Sequence, residues 1–137
     1  MILEGNILKF VGEFKVIKTL AKSGFSNVYL VEHTKTKVRY ALKAIKNPNH
    51  KFRIQNEINI LKSINHLDNI LKLQKVFYDE KKLFFLYDLA NNGTLKHYVK
   101  RVKDFEEENV LIIFKSILSL IKSIHGLNII HHDIKPD

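Results

Sequence analysis

The sequence predicts an α+β fold in which a five-stranded antiparallel sheet with one helix is followed by the first helices of a second, helical part. Two observations support this. Strand-like β-branched and aromatic runs fill the chain from Phe14 to Ile45 and again from Ile70 to Tyr87, and helical periods occupy much of the remainder. With 137 residues, 45% hydrophobic and 27% charged, the chain has the size and composition of one globular domain.

The strands are predicted from short apolar runs and the turns between them. Three runs between Phe14 and Ile45 are separated by turn-rich segments, which indicates an antiparallel meander. Two further strands are expected over Ile70–Phe77 and Lys82–Tyr87, joined by a turn around residues 79–80. Together they make the five strands of the predicted sheet.

Three helices are predicted from apolar residues that recur at helical spacing. The first runs from about Lys51 to Ser63 and lies between the third and fourth strands. A short helix is expected over residues 94–102. The strongest pattern runs from Val110 to Ile124, where preceding glutamates favour the positive amino end and Gly126 is a natural stop.

The charge of the chain does not indicate a nucleic-acid partner. The formal net charge is +9, but only three of the 23 basic residues are arginine and the lysines are spread over nearly every segment. Binding to nucleic acid requires clustered cations that neutralise phosphates. A solvated lysine-rich surface is therefore the favoured interpretation.

The expected location is intracellular, either cytoplasmic or nuclear. The chain has no cysteine, which removes disulfides and thiolate metal sites and fits a reducing compartment. The segment from Met1 to Val11 lacks the features of a signal peptide, and we expect no stretch as long as a membrane span. No membrane partner is expected.

The last nine residues carry the most chemical information. Asp133 follows two histidines and Lys135 comes two positions later, so a base and a cation share one loop. Without context, such residues are more often solvated loop residues. The histidine pair could suggest a metal site, but the side chains of sequence neighbours usually point apart. The sequence also has no cysteine or further spaced histidine pair to complete the set of metal ligands. A metal site here is disfavoured.

The same segment, H-H-D-I-K-P-D, resembles the catalytic loop of protein kinases, H-R-D-L-K-P-E-N. The resemblance implies that Asp133 accepts the proton of the substrate hydroxyl, Lys135 steadies the transferring phosphoryl group, and His131 is a buried structural residue. Lysine two places after the aspartate is similar to Ser/Thr rather than Tyr kinases. His132 replaces the family's arginine, which usually pairs with a phosphorylated activation loop. Since histidine carries full charge only below its pKa, that control is not carried over.

A second motif, Tyr40-Ala41-Leu42-Lys43, resembles the V-A-I-K strand of the family and implies that Lys43 contacts the α- and β-phosphates of ATP. Alone, such a lysine more often snorkels to the surface. Glu57, however, lies on the apolar face of the first predicted helix, where an unpaired carboxylate is costly. The family would supply Lys43 as its partner. We predict a Lys43–Glu57 ion pair facing the nucleotide.

The segment from Leu20 to Val28 resembles the glycine-rich hairpin that covers the phosphates in protein kinases, where small residues let backbone N–H groups approach the nucleotide. Small residues stand at or beside the family's glycine positions, namely Ala21, Ser23, Gly24 and Ser26. Taken alone, this segment is an ordinary hairpin turn.

The stretch from residue 83 to 95 resembles the fifth strand and hinge of the family. The resemblance implies a gatekeeper at Tyr87 and backbone hydrogen bonds from Asp88 and Ala90 to adenine. It also implies a set of residues around the nucleotide, namely Leu20, Val28, Ala41, Thr94 and Leu95. A buried strand and turn would explain the same residues equally well without the other motifs.

The resemblance covers residues 14–137 and implies a protein-kinase-like, partial kinase domain over residues 1–137. The amino-terminal lobe is expected over residues 14–90, and the hinge exit, first helices of the second lobe and start of the catalytic loop over residues 91–137. ATP and Mg²⁺ would be the cofactors, and Ser/Thr of a protein the substrate. The A-x-x-G-T and D-I-K-P forms are similar to Aurora and related groups without assigning a subfamily.

The sequence also predicts a truncated and poorly soluble chain, and it leaves two alternative functions open. The family's metal ligands, an Asn and the Asp of D-F-G, lie beyond Asp137, so we expect a truncated chain that is inactive alone. We also expect it to be poorly soluble, because of its apolar stripe from Val110 to Ile124. The alternatives are a nucleotide- or partner-binding pseudokinase fragment and a basic nucleic-acid-binding domain.

Overall fold

A computed structural model describes residues 2–4, 7–48, 51–79, 82–102 and 106–136. The predicted turn at 79–80 and the chain end at Asp137 fall partly or wholly outside these ranges. The chain forms two compact units. We call Met1–Lys62 with Leu71–Leu89 the sheet unit, and Ser63–Ile70 with Ala90–Asp137 the helical unit.

The sheet unit is built on one antiparallel sheet. Among the described residues its strands are β1 (Ile2–Glu4), β2 (Ile7–Val11), β3 (Phe14–Lys22), β4 (Ser26–His33), β5 (Arg39–Ile45), β6 (Leu73–Asp79) and β7 (Lys82–Asp88). Their order across the sheet is β1-β2-β3-β4-β5-β7-β6, and all neighbours are antiparallel. Strands β3 to β7 confirm the five predicted strands. Strands β1 and β2 were not predicted, and β2 turns into β3 through Gly12, whose φ is +52°.

The apolar run of β7 explains how both faces of the sheet are covered. Successive side chains of a strand point to opposite faces, and Leu83, Phe84, Phe85 and Leu86 are all buried. Phe84 and Leu86 pack with side chains of β2 to β5, whereas Leu83 and Phe85 pack with Ile54 of the first helix. This second cluster is the one that adjoins the candidate site.

The three helices lie close to their predicted positions, as α1 (Lys51–Ile64), α2 (Leu95–Arg101) and α3 (Glu107–Gly126). Helix α3 ends at Gly126, as predicted. The left-handed residue that stops it is nevertheless Asn128, with a φ of +57°. The N–H groups of Asn128 and Ile129 donate to the carbonyls of His125 and Ile124 at 2.9 and 3.0 Å, which is a Schellman ending.

Helix α3 corrects one expectation from the sequence. It contains 20 residues and is long and apolar enough, by length and composition alone, to cross a membrane, whereas we expected no such stretch. One helix of this kind is weak support for a span, because core helices of soluble proteins pass the same test. Some of its apolar side chains, including Ile112 and Phe114, are exposed, others such as Ile117 are half-buried, and Ile124 is buried.

Candidate active site

The predicted ion pair between Lys43 and Glu57 is present in the sheet unit. Lys43 lies on β5 directly opposite Phe85 of β7, and its Nζ is 2.6 Å from Oε1 of Glu57 on α1. The same Nζ lies 5.5 Å from the centre of the Phe85 ring, within cation–π range. The prediction of the pair is therefore confirmed, and Phe85 is a neighbour that the sequence analysis did not single out.

The local sequence explains why these groups meet. Leu42 belongs to the cluster on one face of the sheet, so Lys43 projects toward the other face, against which α1 packs. Glu57 follows Ile54 by three residues and therefore shares its side of the helix. Both charged side chains are partly exposed, at 28% for Lys43 and 39% for Glu57. A second anion can therefore reach the ammonium while the carboxylate holds it.

Tyr87 extends the same face of β7. Its ring stacks on Phe85 with centres 6.4 Å apart and planes within 10°. Burial raises the pKa of the Tyr87 hydroxyl above its ordinary value, and the negative charge of Glu57 raises it further. The phenol is thus a neutral group beside the ion pair, and Lys43, Glu57, Phe85 and Tyr87 form one contiguous cluster.

The candidate phosphate-binding hairpin joins β3 to β4. Its turn is closed by the N–H of Ser23, which donates to the carbonyl of Ser26 at 2.9 Å, and it is tied to β5 through the N–H of Lys46, which donates to Phe25 at 3.0 Å. Phe25 stands at the tip and is 87% exposed. None of its four small residues (Ala21, Ser23, Gly24, Ser26) has a positive φ. This conformation therefore does not need the freedom of glycine.

The candidate adenine contacts fall in both units. In the sheet unit, Ala41 is buried, Val28 is half-buried and Leu20 is exposed. The N–H of Asp88 donates to the carbonyl of Lys72 at 3.0 Å. Any backbone contact from Asp88 to a base would therefore use its carbonyl oxygen.

In the helical unit, Ala90 is exposed and Leu95 is half-buried. Thr94 is the N-cap of α2, where its hydroxyl oxygen accepts from the N–H of His97 at 3.3 Å. The structure thus gives Thr94 a helix-capping role that the sequence analysis did not assign.

The candidate catalytic loop also lies in the helical unit. Nζ of Lys135 is 3.0 Å from Oδ2 of Asp133, and both side chains are more than half exposed. The expectation that His131 is buried is wrong. Its ring is exposed, and Nδ1 accepts from the N–H of Asp133 at 3.2 Å. The loop is irregular, and residues 131–136 are all exposed. His132 adopts a φ of +62°.

The part of the chain that the structure describes contains no group of three or more His, Cys, Asp or Glu residues that could hold a metal ion. The carboxylate of Asp133 is paired with Lys135 rather than with a second acid. These residues do not by themselves fit a magnesium centre.

A curled antiparallel sheet with a lysine ion-paired to a helix glutamate, followed by helices and an H-x-D-x-K-P loop, defines a protein kinase domain. The family model of that domain matches residues 14–137. The chain belongs to the protein kinase family, and the resemblance stated from its motifs is confirmed.

Among its relatives are Ser/Thr kinases of several organisms. It is 35% identical over 129 residues to myosin light chain kinase A of Dictyostelium discoideum, covering 91% of this chain and 43% of the relative. It is 32% identical over 136 residues to the Aurora kinase of Schizosaccharomyces pombe, covering 93% of this chain and 37% of the relative. A probable serine/threonine-protein kinase of D. discoideum is 32% identical over 133 residues, covering 93% and 29%. The chain spans less than half the length of each.

Proposed function

We propose that this protein transfers the terminal phosphoryl group of ATP to Ser or Thr hydroxyls of protein substrates inside the cell. The observation that supports this most directly is the 2.6 Å contact between Lys43 and Glu57. The contact fixes an ammonium group whose remaining exposure leaves it open to a nucleotide phosphate. The family membership supplies the reaction class.

Each candidate residue has a specific role in this proposal. Lys43 neutralises charge on the α- and β-phosphates. Charge neutralisation and positioning account for most of the catalysis in a kinase site. The substrate hydroxyl oxygen attacks the γ-phosphorus, and the bond to the β–γ bridging oxygen breaks. The hydroxyl proton passes to the Asp133 carboxylate, and Lys135 steadies the transferred group. Protein kinases in general use ATP with Mg²⁺, and the metal would neutralise the developing phosphate charge.

Adenine binding is assigned to the sheet side chains and the hinge backbone. Val28 presents half-buried apolar surface beside the sheet position of buried Ala41. Asp88 offers its carbonyl oxygen because its N–H is engaged by the carbonyl of Lys72. Tyr87, as gatekeeper, would narrow the space behind the base. The resemblance to the family would add Ala90, Thr94 and Leu95.

Lys43→Ala tests this function. In a version of the protein that carries the complete family domain, we expect the variant to stay folded and to lose roughly 10²-fold or more in kcat/KM for labelled phosphoryl transfer, because charge stabilisation at the phosphates is lost. Lys18→Ala removes an exposed β3 lysine by the same change and serves as the control. Wild-type turnover by Lys43→Ala would reject the assignment.

We propose that residues 1–137 alone transfer no phosphoryl group, because they contain no D-F-G segment.

A second candidate is a pseudokinase that binds a nucleotide or a protein partner without transfer. It is favoured by a hairpin in which Ser23 and Ser26 stand at glycine positions and are hydrogen-bonded to each other. His132 in place of the family's arginine points the same way. Nucleotide binding that needs no metal, with no transfer by a complete domain, would select this alternative.

A further inference from the structure

The hydroxyl of Ser23 has its hydrogen-bonding capacity filled by its own turn. Its oxygen accepts from the N–H of Ser26 at 3.0 Å and from the N–H of Phe25 at 3.3 Å. It also lies 3.1 Å from the carbonyl oxygen of Ser26, to which it donates, and 3.4 Å from the Ser26 hydroxyl. A serine hydroxyl has one proton and two acceptor lone pairs. The three closest contacts use all of them.

These contacts use backbone N–H groups, which are the donors that a phosphate-binding turn presents to its ligand. Consecutive backbone N–H groups at such a turn form a concave site for anions. Here, the N–H groups of Phe25 and Ser26 already point at a neutral oxygen within the loop. A phosphate oxygen at the same place would have to displace the Ser23 side chain.

The turn has other supports besides this hydroxyl. The N–H of Ser23 donates to the carbonyl of Ser26 at 2.9 Å, and the N–H of Lys46 donates to Phe25 at 3.0 Å. The Lys46 ammonium also donates to the carbonyl of Ser23. Ser23 has no positive φ, so alanine fits the same backbone. Removal of the hydroxyl should uncover the two N–H groups without dismantling the hairpin.

We propose that the Ser23 hydroxyl is an internal competitor for the phosphates of the nucleotide. It holds the N–H groups of Phe25 and Ser26 when no ligand is bound, and binding of a phosphate-bearing nucleotide requires its rotation away from them. This inference rests on the proposed function, since it assumes that nucleotide phosphates bind at this hairpin. It makes Ser23 a residue that sets affinity for phosphate rather than for the base.

The test compares ATP with adenosine, which lacks phosphates, by titration calorimetry on the purified protein. We expect Ser23→Ala to bind ATP about fivefold more tightly than wild type, the effect of about one net hydrogen bond, with unchanged adenosine affinity. Ser23→Thr keeps the hydroxyl and should retain wild-type ATP affinity. Ser116→Ala removes the hydroxyl that donates to Ile112 in α3 and should change neither affinity. Thermal unfolding checks that each variant is folded.

The alternative outcomes can be separated. Equal tightening for ATP and adenosine in Ser23→Ala would mean a generally loosened loop and would overturn the competitor role. Unchanged or weaker ATP binding by Ser23→Ala, with wild-type binding intact, would overturn the inference and leave the proposed function standing. Failure of wild type and Ser23→Ala alike to bind ATP would overturn the proposed function and this inference with it.

Discussion

At the scale of single residues, the ammonium of Lys43 is placed by two different interactions. The Glu57 carboxylate supplies a charge-assisted hydrogen bond, and the Phe85 ring supplies a surface on which the cation rests. A compact lysine head on a flexible stem can keep both contacts while it turns toward a third group. Among the described residues, loss of Glu57 would leave the Lys43 ammonium with the contact to the Phe85 ring alone.

Glu13 forms a second cluster of charges, away from the candidate site but within the sheet unit. One carboxylate oxygen is 3.3 Å from Nε2 of His33, and the other is 3.4 Å from Nζ of Lys75. The hydrogen bond from His33, followed by that from Lys75, lowers the pKa of the Glu13 carboxyl below its ordinary value of 4.5. The folded protein therefore favours the charged form of Glu13.

A pH dependence follows from this shift. Because the folded pKa is depressed, Glu13 contributes stability that is present above the unfolded pKa and is lost as the pH falls through the lower, folded value. We expect Glu13→Gln to make Tm fall less steeply than wild type from about pH 5 to about pH 3. The difference should shrink at high salt, since the carboxylate is exposed. Identical acid unfolding curves of the two proteins at low salt would contradict this.

At the scale of secondary-structure elements, the carboxyl end of α3 uses one residue to end the helix and another to adopt the left-handed conformation. A single glycine often does both. Gly126 occupies the last helical position without a positive φ and with open space where a Cβ would stand. Asn128 takes the left-handed conformation instead. Asparagine tolerates that conformation less well than glycine does, but better than most other residues.

This arrangement predicts opposite effects for neighbouring substitutions. Asn128→Gly should stabilise the protein, because a left-handed backbone penalises a Cβ. Asn128→Ala should destabilise it by about 1 kcal/mol, because alanine keeps the Cβ but lacks the polar side chain that can hydrogen-bond locally. Gly126→Ala should stabilise by roughly 0.5–1 kcal/mol, since the glycine is helical and unobstructed. Chemical denaturation of the three variants measures these changes. A loss of stability in Gly126→Ala would show that position 126 has a role the helix geometry does not reveal.

The elements that could be predicted are those with a repeated signal. Ile54, Ile58 and Leu61 gave the position of α1, and with it the side of the helix on which Glu57 lies. Strands β1 and β2 were not predicted because each is short. Their pairing depends on the turn at Gly12 rather than on a long alternating run.

Some residues and contacts of the candidate site could be predicted from the sequence, and others could not. The cost of an unpaired carboxylate on an apolar helix face indicated that Glu57 needs a partner, and the resemblance to the family supplied Lys43 as that partner. Phe85 was missed, although alternation along β7 places it on the same face as Tyr87. The exposure of His131 and the hydrogen bonds of Ser23 depend on loop conformation. Residue type alone does not determine that conformation.

At the scale of the whole molecule, the exposed apolar side chains of α3 have the greatest consequence for behaviour in solution. Val110, Leu111, Ile112, Phe114 and Leu118 are each between 44% and 63% exposed. Clustered apolar surface of this kind promotes association or aggregation. The limited solubility expected from the sequence remains a prediction, and these exposed side chains are the surface that would cause it.

The double variant Ile112→Lys/Phe114→Lys tests that prediction. We expect the 137-residue chain to self-associate on size-exclusion chromatography with light scattering, and the variant to be largely monomeric. Its stability should change by less than about 0.5 kcal/mol, because both side chains are exposed. Asn109→Lys adds charge to the same helix without removing apolar surface, and should behave as wild type. A monomeric wild-type chain would refute the prediction, and partition into lipid vesicles that the double variant loses would favour a membrane contact.

The position of β7 within the sheet also has a consequence for how the sheet unit folds. Ala44 of β5 pairs with Phe84 of β7, although α1 and all of β6 separate them along the chain. Closing that long loop costs chain entropy before any contact repays it, whereas the β6–β7 hairpin forms from neighbours in sequence. Docking of β5 onto a preformed β6–β7 hairpin is therefore the expected slow event of folding. Since Lys43 lies on β5 and Phe85 on β7, the ammonium meets its aromatic neighbour only when this late step is complete.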